Sequence, residues 1–283
     1  MANIMFILRQ SSFVIMTGCA VTLLMISGNL DLSVGSTVAL SGVAHAFLCQ
    51  AGVATGLSFL IAVAVGTIVG AINAVTVVKL KITAFIATLG TMYIGRGLSY
   101  LFTDGLVIRD GLPDNFTTLG RDYLGPFPIP IIILVIVVAV FIVLEKKSVL
   151  GKYSIAIGGN KTAATLSGIN ASSHVMLLYI LTGTMAGLSG VMMVSRLGVG
   201  DPNIGIGFEF DVIIAVILGG TSLAGGEGSI FGMIIGGLII GSLGNGLKLL
   251  NVFTFFQAVM KGGVLVLAVI LDQKLRSGIQ SRK

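Results

Sequence analysis

Hydrophobic residues run through this chain in long blocks that neither alternate nor keep to one face of a helix. Stretches such as 130–144 and 253–271 are apolar on all sides, which suits a helix bathed in lipid rather than one with a watered face. A spanning helix needs roughly 20 mostly apolar residues, whereas a membrane barrel would show alternating segments of about ten. The blocks are long and do not alternate, so helices are expected near 11–29, 34–52, 55–78, 82–103, 128–144, 174–196, 209–224, 229–247 and 252–271. The pattern predicts an all-α, polytopic membrane bundle of about nine spans in a single domain, 1–283, with one or two spans open to being broken or re-entrant. The segment from Ser33 to Gln50 is the first candidate for such a break, because Gly28, Asn29, Asp31, Ser33, Gly35 and Ser36 interrupt the apolar run just before it.

Composition agrees with that pattern. Of 283 residues, 55% are hydrophobic and 10% charged, against roughly 25% charged in a soluble domain. The formal net charge of +6 does not point to nucleic acid, since the basic residues gather at the ends of apolar blocks, where they set membrane orientation. Lys146, Lys147, Lys152 and Lys161 face one acid between 145 and 161. That segment, the turn with Lys79 and Lys81, and the tail with Lys274, Arg276, Arg282 and Lys283 are expected on the cytoplasmic side. The loop 104–122, with four aspartates against Arg109 and Arg121, is expected outside. The same count puts the N-terminus outside and suggests that a preceding span is absent; no secretory cleavage pattern follows Arg9. Cys19 and Cys49 lie in apolar stretches and read as packing thiols.

Glycine is concentrated in the spans rather than the loops. Gly228, Gly232 and Gly236 recur every four residues, as do Gly237 with Gly241, Gly66 with Gly70, and Gly183 with Gly187. That spacing aligns them on one helical face, where missing side chains let helices approach closely.

Candidate chemistry is sparse. There is no phosphate-cradling G-x-x-x-x-G-K-[ST] loop, no H-E-x-x-H and no G-x-S-x-G, and His45 and His174 are the only histidines, so the chain reads as neither ATPase nor metal or serine enzyme. Polar groups inside a membrane are costly and are therefore path candidates: Asn29, Asp31, Ser33, Ser36 and Asn73. Asp31 and Ser33 read equally as a helix cap or as a broken helix lining an aqueous route, and Asn73 and Asn245 as interhelical bonds. Glu209 and Asp211 read as favourable charges at a helix start, Arg96 and Arg196 as snorkelling side chains. The segment at about 156–170 differs from the rest, being short, moderately polar and flanked by turn formers. It predicts a small helix begun by Gly158, Gly159 and Asn160, filled by Ala163, Ala164 and Leu166, and ended by Gly168. A helix of barely two turns needs a partner for its Ala and Leu face.

The run Gly158 to Ile169, G-G-N-x-x-A-A-x-x-S-G-I, resembles the cytoplasmic coupling loop of ribose-type ABC sugar permeases, in the superfamily of branched-chain amino-acid and sugar permeases. Ser27 to Ser36 and Gly219 to Ser229 also resemble that family, in the same order along the chain. The resemblance covers nearly all 283 residues, although the family has a further hydrophobic span before the position of Gln10, so a shortened or incomplete start is expected. It implies an ABC importer permease fold and import of a monosaccharide or related small sugar. The implied partners are an ABC ATPase subunit that binds the ATP and Mg, a second identical or paralogous permease subunit, an extracytoplasmic sugar-binding protein and the lipid bilayer of the bacterial inner membrane. Gly159, Asn160, Lys161, Ala163, Ala164, Leu166, Ser167, Gly168 and Ile169 would dock on the ATPase. No cofactor, metal or catalytic residue is implied for the chain itself. A branched-chain amino-acid permease, an ion-coupled secondary transporter using Asp31, and a membrane enzyme are the rival readings.

Overall fold

The computed structural model describes residues 2–280, so Arg282 and Lys283 of the basic tail lie outside the described residues. The helices are α1 (Ala2–Ile26), α2 (Val34–Gln50), α3 (Thr55–Ala74, widening into a π turn at Val75–Lys79), α4 (Ala84–Leu101), α5 (Thr118–Arg121), α6 (Ile129–Lys147), α7 (Val149–Gly159), α8 (Lys161–Leu166), α9 (Ala171–Leu197), α10 (Phe208–Leu218), α11 (Ile230–Leu249) and α12 (Thr254–Gln280). The strands described are a two-residue hairpin pair, Tyr123–Leu124 and Phe127–Pro128, in the loop between α5 and α6.

Each expected span has a helix, but several boundaries move. α1 begins near residue 2 and takes in Arg9 and Gln10, well before position 11. α7 occupies part of the lysine-rich segment read as a loop. The expected span 209–224 stops at Leu218, where Gly219 and Gly220 end the helix and Gly220 adopts φ +84°. Eleven residues make about 16 Å of helix, half of a hydrocarbon core about 30 Å thick. Among the described residues, five helical stretches are long and apolar enough to cross a membrane: Asn3–Ile26, Thr55–Lys79, Ile129–Lys147, Ala171–Leu197 and Ile230–Leu249.

α9 runs through the centre, with Leu178, Tyr179, Ala186, Val191, Met192 and Val194 fully buried. Glycine sets how closely it is approached: a Cβ on Gly66 would fall 2.5 Å from the Gly183 carbonyl oxygen and 2.7 Å from the Gly187 Cα. In α11, Gly232 and Gly236 lie against the backbone of Gly219 and Ala215, while Gly237 and Gly241 lie against Ile15 and Ser11 of α1. Gly228 precedes α11 and sits in the preceding loop against Thr221. Small residues on two faces of α11 thus admit α10 on one side and α1 on the other.

Loop contacts sort the bundle into two ends. At one, Ile108 and Gly200 exchange backbone hydrogen bonds of 2.9 Å, Gln50 donates to the Asp110 carbonyl, Arg121 donates to the carbonyls of Arg196 and Leu197, and Tyr100 donates to Asn203. At the other, the Gly226 amide donates to the Ile26 carbonyl at 2.8 Å, beside Gly158. Asp104, Asp110, Asp114, Asp122 and Asp201 fall in the loops of the first end; Lys79, Lys81, Lys146, Lys147, Lys152 and Lys161 fall at the second.

Candidate coupling and translocation sites

The small helix at 156–170 is built by its own polar residues. Asn160, in an extended conformation, closes α7 and caps α8, its Oδ1 accepting the Ala163 amide at 2.9 Å. Gly158 and Gly159 therefore end α7 rather than begin α8. Gly168 adopts φ +86°, the left-handed geometry that lets the Ile169 amide return to the Ala164 carbonyl at 3.1 Å and stops the helix. Asn170 then caps α9 through the Ser173 amide. α7 is anchored in the bundle by buried Leu150, Ser154 and Ile157, with Ser154 Oγ 2.9 Å from His174 Nε2. His174 is thus engaged in packing this junction.

α8 stands outward from that anchor. Ala164 is 5% exposed and seats the helix, whereas Leu166, two positions on, is 85% exposed. Lys161, Ala163, Ser167 and Gly168 are also exposed and Ile169 is half-buried. Ala163 and Leu166, three apart, share a face. That face, not the Ala164 face, is the one left open.

The three stretches resembling the permease family meet beneath α8. A Cβ on Gly225 would lie 3.0 Å from Gly28 Cα and 3.1 Å from Gly158 Cα, and one on Gly226 would lie 3.1 Å from Gly159 Cα. A side chain at Gly158 would run into the Ile26 carbonyl and the Gly226 amide, and one at Gly225 or Gly226 would press on neighbouring backbone. Positive φ at Gly225 and Gly226 (+86° and +81°) adds a second reason for glycine there.

One turn deeper, Asp31, Ser33, Ser36 and Asn73 come together, all at most 1% exposed. Asp31 Oδ1 accepts from the Ser33 amide (2.8 Å) and hydroxyl (2.6 Å), and Asn73 Nδ2 reaches Asp31 Oδ2 (3.2 Å) and Ser33 Oγ (2.8 Å). Ser36 Oγ donates to the Ser33 carbonyl. Asn73 Oδ1 is buried without a partner. The Tyr179 hydroxyl donates to the Leu30 carbonyl and Thr88 Oγ1 accepts the Leu32 amide, so α9 and α4 satisfy the backbone of the break between α1 and α2. Asn29 lies apart from this group, in a cavity of about 380 Å³ with Lys81 and Lys161.

Sequence reading missed a re-entrant segment. Gly200 packs on Ala46, near the far end of α2, while a Cβ on Gly205 would lie 2.5 Å from the Gly35 carbonyl at its beginning. Ala46 and Gly35 are separated by about 16 Å of helix, so residues 200–207 descend deep into the bundle before α10 starts. Arg96 holds this descent, donating to the carbonyls of Pro202 (2.6 Å) and Ile204 (2.8 Å). Its guanidinium is therefore turned inward, correcting the snorkelling reading. Glu209 is 7% exposed against Gly35, and Asp211 accepts from Lys261 of α12 at 2.7 Å. Both acids do lie in the first turn of α10, but each also faces a neighbouring helix. The available signal was Gly200, Gly205 and Gly207 around Asp201-Pro202-Asn203, followed by an apolar run too short to span. Asn245 bonds across helices to Asn3 at 2.9 Å. Among the described residues no group of three His, Cys, Asp or Glu side chains is placed to hold a metal.

No solved structure matches this chain. The ribose import permease protein of Haemophilus influenzae (strain ATCC 51907 / DSM 11121 / KW20 / Rd) is 39% identical over 276 residues, covering 96% of this chain and 85% of that protein. The ribose import permease protein of Bacillus subtilis (strain 168) is 42% identical over 274 residues, 96% of this chain and 85% of the relative. The D-allose transport system permease protein of Escherichia coli (strain K12) is 40% identical over 272 residues, 96% and 83%. With a match over residues 3–269, the chain belongs to the family described as branched-chain amino acid transport system / permease component.

Proposed function

We propose that this chain is the membrane-spanning permease subunit of an ATP-driven ABC importer for a monosaccharide or related small sugar. The carrying observation is α8: a two-turn helix seated by Ala164, presenting an 85% exposed Leu166, at the lysine-rich end of a membrane bundle. An isolated helix of that length is unstable in water, and its open Ala163 and Leu166 face suits a groove on a separate ATPase. The excess of lysines over acids supports a cytoplasmic position for this end by the positive-inside rule; in this reading the C-terminus is on the same side and the aspartate-rich loops face an extracytoplasmic binding protein.

In this reading ATP-driven closure of the ATPases pushes on Asn160, Lys161, Ala163, Leu166, Ser167, Gly168 and Ile169, while Ala164 transmits the push as the seat of the helix. Gly159 stands where α7 meets Gly226, so the movement passes directly to the loop 219–229 and to the α1–α2 break at Gly28. Asp31, Ser33, Ser36 and Asn73 keep that break rigid beside the path, and Asn29 lines its cytoplasmic mouth. A second permease subunit completes the enclosure; the chain itself performs no covalent chemistry. The relatives named for ribose and D-allose support a sugar as the cargo.

The test is uptake by proteoliposomes containing this permease, its ATPase and an extracytoplasmic sugar-binding protein. D-ribose or D-allose should accumulate only with ATP and the ATPase. Accumulation of L-leucine instead would select the branched-chain amino-acid reading, and accumulation without the ATPase would overturn the proposal.

A further inference from the structure

Three polar side chains within the bundle suggest where a solute would rest. Between the half-helix α10 and α12 lies a cavity of about 550 Å³, bounded by apolar Ile206, Phe210 and Leu265 and by three polar side chains, Asp211, Gln257 and Lys261. Asp211 is one turn into α10, whose start lies at the bottom of the re-entrant segment, and Lys261 is two turns into α12. Ionisable side chains at such depth are costly and are kept where they line a route, and interrupted helices in transporters place their ends at solute sites.

The pair is only partly used by the protein. Lys261 Nζ donates one hydrogen bond, to Asp211 Oδ2 at 2.7 Å, and carries two further protons; Asp211 Oδ1 is buried without a partner, so the carboxylate meets the cavity through Oδ2. Gln257 Nε2 donates to the Val252 carbonyl at 2.8 Å, leaving its Oε1 free to accept. Donors and acceptors thus remain side by side, next to the Phe210 ring, which is 48% exposed. The ion pair makes the site neutral overall. A solute of net charge would upset that balance, whereas a hydroxyl can accept from the ammonium, and a neighbouring hydroxyl can donate to the carboxylate, with the site still neutral. An aromatic face beside such a group suits the C–H face of a sugar ring.

We propose that this cavity is the solute site of the permease, with Asp211, Lys261 and Gln257 contacting vicinal hydroxyls of a neutral sugar and Phe210 packing against its ring. The inference rests on the sugar-importer reading above and deepens it.

The experiment uses the full complex in proteoliposomes, with radiolabelled D-ribose and, separately, L-leucine as probes. Lys261→Gln should lower D-ribose uptake by at least about tenfold, the loss of one hydrogen bond to a charged group, with complex recovery within about twofold of the parent. The exchange Asp211→Lys with Lys261→Asp rebuilds the pair with its polarity reversed: recovery should stay within about twofold of the parent and uptake should remain low. Uptake restored by the exchange would make the pair a structural tether and overturn the proposal. Should those variants fail to assemble, Gln257→Cys carries the test, since native Cys19 and Cys49 are buried. Modification by a methanethiosulfonate reagent should abolish uptake, and saturating D-ribose with binding protein and ATP should protect against it. Uptake unaffected by modification, or protection absent, would overturn the assignment. If the parent complex takes up only L-leucine, the sugar reading has failed instead.

Discussion

Replacing Leu166 by Asp isolates docking from folding. Leu166 is 85% exposed, so the free permease loses almost no buried surface and its stability should move by no more than about 0.5 kcal/mol, as for surface substitutions generally. In the assembled importer the same side chain would be covered. Full burial of a leucine is worth about 1.5–3 kcal/mol, and an unpaired carboxylate in its place adds a desolvation cost. ATPase affinity should therefore fall by about 10- to 100-fold. Ala164→Asp provides the contrast. At 5% exposed, Ala164 sits between α8 and the bundle, so its carboxylate would enter the seat itself and lower permease stability by a few kcal/mol. The assay measures ATPase binding to detergent-solubilised permease by surface-immobilised titration, alongside thermal unfolding of the permease alone. Leu166→Asp should weaken binding with unfolding unchanged; Ala164→Asp should shift both. Parent-like binding by Leu166→Asp would refute the assignment of α8 to docking.

Further expectations concern the junctions behind α8. Gly226→Val forces a β-branched residue into φ +81° against Gly159, so uptake should collapse while ATP hydrolysis loses its dependence on the binding protein; retained coupling would contradict the junction's role. Asp31→Ala leaves the Ser33 amide and hydroxyl without their acceptor and Asn73 Nδ2 with Ser33 Oγ alone, which should destabilise the permease by about 2–4 kcal/mol, read as a lowered unfolding temperature in detergent. Gly236→Leu drives a side chain into the Ala215 carbonyl and should abolish recovery of folded permease by size-exclusion chromatography, whereas Gly246→Leu, with open space around it, should be recovered normally. Arg96→Met releases the Pro202 and Ile204 carbonyls and should raise protease cleavage within 200–207, with unchanged cleavage counting against its holding role.

Hydropathy located every long span because a lipid-facing helix must be apolar over about 20 residues, and that requirement is one-dimensional. The stop at Gly168 was equally legible, since capping is local chemistry, whereas the start was read too early, Gly158 and Gly159 ending α7 and Asn160 alone capping α8. What escaped was non-local. The descent of 200–207 depends on Arg96, more than a hundred residues away in sequence, and on carbonyls whose partners no propensity reveals. Lys261 is one charge within an apolar run, and its significance comes from Asp211 fifty residues earlier. Gly28, Gly158 and Gly225 were each recognised within separate motifs, yet their shared junction exists only in three dimensions. α7 was hidden because its buried face, Leu150, Ser154 and Ile157, is short and partly polar, too weak to stand out among the lysines.

The central claim, that α8 hands the work of a separate ATPase to this bundle, is tested most directly by placing a photo-activatable cross-linking residue at position 166 of the assembled importer in its native membrane. The account predicts a cross-link to the ATPase subunit whose yield changes when ATP is bound and trapped. A cross-link to lipid alone, or position 166 reached by an impermeant reagent from the extracytoplasmic side, would contradict it.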